Sequence, residues 1–171
     1  MNAVEKIDKQ IELELSASAL YRKLDENTED AELKRLWSTL AVHEEYHAAS
    51  LESLKASLSP EELENEASTL DEENINGLLQ KHEEFMKAIK EDVSPSRAFE
   101  IAMFLEFSEL NSLFFNAMRS GEEDRAPYLH SLAEGTKSHL MTLYRGVKKH
   151  LGEKEQAPYL EMFTDLGLMK E

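Results

Sequence analysis

The sequence contains no cysteine. That single absence excludes disulfides, thiolate zinc sites, iron–sulfur clusters and cysteine nucleophiles, so any metal must be held through oxygen and nitrogen. Glycine and proline are scarce, at six and four residues, and fall mostly outside the apolar-periodic segments. Strand-like alternation of β-branched residues is also missing, which predicts a helical fold. Positive charge is in short supply: 19 Lys and Arg stand against 35 Asp and Glu, for a formal charge of −16. A chain of that sign repels phosphate backbones and anionic headgroups, so neither nucleic acid nor membrane is expected as a partner. No apolar run reaches the roughly 18 residues of a spanning helix, and Met1 to Glu14 carry charges where a signal peptide is apolar. A cytoplasmic protein is expected.

What is present fits one domain. The 171 residues are 41% hydrophobic, enough for a sizeable core. Residues 3–26 place Val4, Ile7, Ile11, Tyr21 and Leu24 at spacings that return to one helix face. After a polar break, in which Thr28 or Asp30 is the expected cap, a second helix runs from about 31 to 57 through Leu33, Leu36, Leu40, Leu51 and Leu54. These two make an antiparallel hairpin spanning 3–57. A crossover follows over 58–94. Its acidic start, with Ser59-Pro60-Glu61-Glu62, predicts a solvated linker with one helical turn, and a weaker accessory helix is expected over 75–91. The second hairpin, 95–151, has one helix from Pro95 to about 119, a break at Gly121 to Arg125, and another helix from Pro127 to about Leu151. A short C-terminal helix is expected over 155–167.

The two hairpins repeat. A shift of 92 positions lays Leu13, Glu14 and Ser16 on Leu105, Glu106 and Ser108. The same shift lays Leu40, Ala41, His47 and Leu51 on Leu132, Ala133, His139 and Leu143, without a gap. Glutamate and histidine keep register with the leucines.

Those polar residues interrupt the apolar stripes. Glu44 and His47 occupy stripe positions between Leu40 and Leu51, Glu14 lies between Ile11 and Tyr21, and Glu106 lies between Ala102 and Leu113. On the fourth helix the stripe passes through Thr136 and His139. Unpaired buried carboxylates cost several kcal/mol each, so several at one level of a bundle require cations or protons. A Glu from each of two helices and a Glu-x-x-His from each of the other two is how helical bundles hold two iron or manganese ions, since side chains at i and i+3 share a face. Five of those six positions match here.

Over roughly residues 5–57 and 94–150 the chain resembles the rubrerythrin branch of the ferritin-like superfamily. The resemblance is carried by Ile11-Glu12-Leu13-Glu14 with Tyr21, by Glu44-Glu45-Tyr46-His47, by Ala98 to Ala102 leading to Glu106, and by Ala133 to His139. It implies an all-α, ferritin-like four-helix bundle made of two hairpins joined by a long crossover. It also implies a non-haem di-iron centre, held by Glu14, Glu44, His47, Glu106 and His139, that works as a peroxidase or oxidase on peroxide or oxygen. Glu109 falls on the additional glutamate of classical rubrerythrins.

Two departures qualify this implication. The second Glu-x-x-His reads Thr136-Lys137-Ser138-His139, which replaces a carboxylate by a neutral hydroxyl. Glu134 is about 200° round the helix and cannot take its place, whereas Glu109, one turn from Glu106, can. The cysteine-based electron-transfer module of many rubrerythrins is missing, so redox turnover needs a separate electron donor. Two alternatives stay open. One is a single iron, zinc or manganese ion in Glu14, Glu44, His47 and Glu106, for storage, transfer or sensing; the other is a metal-free helical interaction module. Tyr21 is expected in the core with its hydroxyl near Glu14. Trp37, Phe104, Phe107, Phe114, Phe115 and the methionines read as packing or as a homodimer interface. His43, His82, His130 and His150 read as surface groups.

Overall fold

The computed structural model describes residues 1–68, 70–89, 93–110 and 127–165. Among them all regular structure is helical: α1 (Ala3–Glu26), α2 (Ala31–Ser57), α3 (Pro60–Ala67), α4 (Glu72–Ala88), α5 (Pro95–Leu110), α6 (Pro127–His150) and α7 (Glu153–Asp165). The expected break at Gly121 to Arg125 and the stripe residues Leu113 and Ala117 lie outside the described residues. None of these helices is long and apolar enough to cross a membrane.

Helix starts follow local chemistry. The Asn2 side chain accepts from Glu5 N at 3.0 Å, and the Glu5 carboxylate accepts from Asn2 N at 2.8 Å, closing a reciprocal cap on α1. Of the two candidate caps before α2, Asp30 takes the role, accepting from Glu32 N and Leu33 N at 2.8 and 3.0 Å. Those backbone donors hold the Asp30 carboxyl below its ordinary value. Ser59 and Glu62 form a second reciprocal cap, so the acidic linker folds as the eight-residue helix α3 rather than a single turn. The accessory helix starts three residues earlier than expected, because Asp71 caps it through Asn74 N at 2.9 Å.

α1 and α2 run antiparallel, tied by Asp8 to Lys55 at 2.5 Å, Ser18 to Glu45 at 3.3 Å and Asp25 to Ser38 at 2.9 Å. α5 packs on α6, α2 on α6, and α1 on α5. α4 lies along α1, and α3 touches α1 and α6. Ile7, Leu20, Tyr21, Leu24, Leu33, Trp37, Leu40, Phe99, Ile101, Leu140, Leu143 and Val147 are fully enclosed, each large apolar side chain contributing about 1.5–3 kcal/mol. Trp37 stacks on Tyr21 and meets Phe99 edge-on, with ring centroids at 6.3 and 5.2 Å. Gly146 makes this approach possible, since a Cβ there would fall 2.8 Å from the Phe99 ring. Phe163 docks α7 against Phe107 and Tyr144, at 5.8 and 5.1 Å. Val4, expected on the apolar face of α1, is 45% exposed, and Ala3 is buried instead. Glu66 of α3 is buried rather than solvated.

Candidate metal centre

α1, α2, α5 and α6 each turn polar side chains into the interior. α1 supplies Glu14, α2 supplies Glu44 and His47 three residues apart, α5 supplies Glu106 and Glu109, and α6 supplies Thr136 and His139. All but His47 are buried, and His47 is partly so. The i, i+3 spacings on α2, α5 and α6 put each pair on one face, which is why short stretches of sequence reach the same level from different helices.

These side chains form two groups with one member in common. Donor atoms of Glu14, Glu44, His47 and Glu109 lie within 4.8 Å of one another, and so do those of Glu44, Glu106 and His139. His47 Nδ1 is 3.0 Å from Glu44 Oε2 and 3.4 Å from Glu14 Oε2. His139 Nδ1 is 3.1 Å from Glu44 Oε1 and 3.2 Å from Glu106 Oε2. Glu44 therefore turns one oxygen to each histidine. All six residues expected as ligands are brought together, and Glu109 joins the His47 side.

The donor set suits cations and is poorly satisfied by protein alone. Glu14 Oε2, Glu44 Oε1 and Glu109 Oε1 are buried without a hydrogen bond, although buried polar atoms ordinarily have a partner. The lone Nδ1–H of His139 bonds Glu106, leaving Glu44 Oε1 near it but unsatisfied. Four carboxylates at −1 each total −4, which two divalent cations at +2 each neutralise with both imidazoles neutral. The residues thus fit a pair of hard or borderline divalent ions.

Without cations, protons must do the balancing. Burial opposes charge on every group here. For Glu44, the hydrogen bond from His47 and the attraction of the nearby His139 and His47 rings outweigh burial and hold its carboxyl at about 2. For His47, burial is outweighed by Glu14 and Glu44, which raise the imidazole to about 9; Glu106 and Glu44 raise His139 to about 10. Burial pushes Glu106 up to about 7, drives Glu109 well above the carboxylate range and raises Glu14. The cluster balances its own charge with shared protons.

Thr136 is fully enclosed and commits its hydroxyl proton to Leu132 O at 3.2 Å. Glu134 is exposed and pairs with Lys137 on its own helix, as its helical angle requires. The Tyr21 hydroxyl, expected near Glu14, instead donates to Glu106 Oε1 at 2.5 Å. Gln10 occupies the position beside Glu14, its Nε2 donating to Glu14 Oε1 at 2.7 Å. Gln10 sits one turn before Glu14, so the stripe already contained that signal. His82 is also buried, against expectation, with Nδ1 3.1 Å from Ser16 Oγ, and burial lowers it to about 4. Its spacing from Ile75, Leu78 and Phe85 marks the buried face of α4. His43 is exposed yet reaches His139, a contact between helices that no spacing within α2 reveals.

His150 is partly buried and lies 4.0 Å from Asp30 and 3.7 Å from Glu32. Lys149 also binds Glu32, at 2.8 Å, and Asp30 caps α2, so this group has structural work already. The side chain of His130 lies outside the described residues. No protein-family model matches this chain, and no curated protein or solved structure matches it either.

Proposed function

We propose that this chain is a rubrerythrin-like protein with a ferritin-like bundle, holding two irons and acting as an oxidoreductase on peroxide or oxygen. The observation that carries the reading is Glu44, whose two oxygens face two separate donor groups, each with its own histidine. A carboxylate so placed can bridge two ions, and His47 and His139 each present one nitrogen to one of them.

Iron bound there would supply the electrons that reduce a small oxidant. The chain's own residues do the rest. Glu14 and Glu109 complete the His47 side, and Glu106 completes the His139 side. Tyr21 holds Glu106, and Gln10 holds Glu14, each by one hydrogen bond. An open groove of about 630 Å³, lined in part by Tyr46, His47, Leu51 and Leu132, reaches the His47 side and admits small molecules. Electrons to reset the site would come from outside these 171 residues, which contain no cysteine.

The test is anaerobic reconstitution of purified protein with ferrous iron, followed by peroxide. About two irons per chain, oxidised on peroxide addition, is the expected result; no binding above background ends the reading. A second reading is favoured by Thr136, which leaves the His139 group with three donors against four on the His47 side. In that reading one iron, zinc or manganese ion sits among Glu14, Glu44, His47 and Glu109, the last in place of the expected Glu106, which lies in the His139 group, with stoichiometry near one and no peroxide turnover.

A further inference from the structure

His43 belongs to neither donor group, yet it touches one of the histidines. Its Nδ1 lies 3.2 Å from Nε2 of His139, with the ring planes 23° apart. The other nitrogen of His139, Nδ1, is the one that faces Glu44 and Glu106. An imidazole that ligates through Nδ1 must keep its remaining proton on Nε2, and that N–H needs an acceptor to fix the ring. His43 Nδ1 is the atom placed to accept it.

We propose that His43 is a positioning residue: it accepts from His139 Nε2–H, fixes the tautomer that aims Nδ1 inward, and strengthens cation binding on the His139 side alone. This rests on the metal reading above.

The confinement to one side comes from the internal repeat. Shifted by 92 positions, His43 falls on Gly135. Gly135 lies against the matching atom of the other half, because a Cβ there would sit 2.7 Å from His47 Nε2. Where His139 meets an imidazole acceptor, His47 therefore meets a residue with no side chain. The repeat that made the two halves alike in their histidines made them unlike in what supports those histidines. The support also offsets the deficit at Thr136, which weakens the same half.

His43 is exposed and outside the apolar core, so changing it removes no core side chain. Cobalt(II), whose visible absorption reports its ligands, is titrated into metal-free wild type, His43→Leu and His43→Asn. Leucine removes the acceptor; the asparagine Oδ1 replaces the Nδ1 of histidine at the same distance along the side chain. One binding step should weaken by roughly 10- to 100-fold in His43→Leu, the other should stay put, and His43→Asn should recover most of the loss. Nitrogen NMR of the zinc-loaded wild type should show His139 carrying its proton on Nε2, with that proton exchanging faster in His43→Leu.

Outcomes separate the two layers of argument. If wild type binds no cobalt, the metal reading falls and this inference with it. If wild type binds and His43→Leu matches it, the inference alone is overturned. Equal losses in both variants mean a structural role, and also overturn it.

Discussion

The Tyr21 hydroxyl donates to Glu106 Oε1 across 2.5 Å, joining α1 to α5 through residues 85 apart in the chain. Both partners are buried, and Tyr21 is packed against Trp37, so the hydroxyl cannot exchange Glu106 for water. It is one of the contacts that holds the Glu106 carboxyl down against the upward push of burial.

Tyr21→Phe keeps the ring and removes the donor. A buried hydrogen bond to a charged group is worth about 1.5–3 kcal/mol, so urea unfolding of the metal-free variant should show a loss in that range. Glu106 should also titrate higher than in wild type. An unchanged midpoint would mean that the bond contributes nothing.

Acidity enters through the histidines. Folding raises His47 from 6.5 to about 9 and His139 from 6.5 to about 10. Their stabilisation of the metal-free protein is complete below about pH 6.5 and disappears as pH climbs through 9 to 10. Glu106, raised from 4.5 to about 7, adds a loss in the same direction at lower pH. Glu44, lowered from 4.5 to about 2, works oppositely and loses its contribution as the solution is acidified below about 4.5. Thermal melts of metal-free protein should fall from pH 6.5 to 10. Cation binding should release protons, and calorimetry in buffers of different ionisation enthalpy measures how many. A flat melting profile over that range contradicts the assignment.

Gly135→Ala adds a methyl 2.7 Å from His47 Nε2. His47 cannot swing away freely, being bonded at Nδ1 to Glu44. Overpacking of this kind costs about 1–3 kcal/mol. Divalent-ion affinity on the His47 side should drop, while the circular dichroism signal of the helices is retained. Wild-type affinity in this variant would show that His47 is not a ligand.

Thr136→Glu puts back the carboxylate that the repeat lacks. In the metal-free protein an extra carboxylate at a fully enclosed position should destabilise by about 2 kcal/mol or more. With metal present the sign should reverse, with the second equivalent of iron held more tightly than in wild type. Denaturation with and without ferrous iron reads both effects, and destabilisation under both conditions would place position 136 away from the ions.

Much of this was legible in the chain. The bounds of α1 and α2, the start of α5 and the span of α6 follow from apolar spacing and from Asp30 and the prolines at 95 and 127. Five of the six candidate ligands stood out because polar side chains on an apolar stripe need a reason; Glu109 came from the resemblance and its place one turn from Glu106. His43, Gly135 and the partner of Tyr21 were illegible for a common cause: each matters through a neighbour on another helix. Periodicity reports which face a residue occupies, and says nothing about which residue of a different helix lies opposite.

Composition and spacing by themselves determined a helical, acidic, cysteine-free chain with glutamates and histidines on its apolar faces, because period and charge are local properties of sequence. Tertiary structure decided that Glu44 faces both histidines, that Tyr21 serves Glu106 rather than Glu14, and that His139 meets an imidazole where His47 meets Gly135. Those outcomes depend on how far each helix slides and turns against the next, which only the packed core sets.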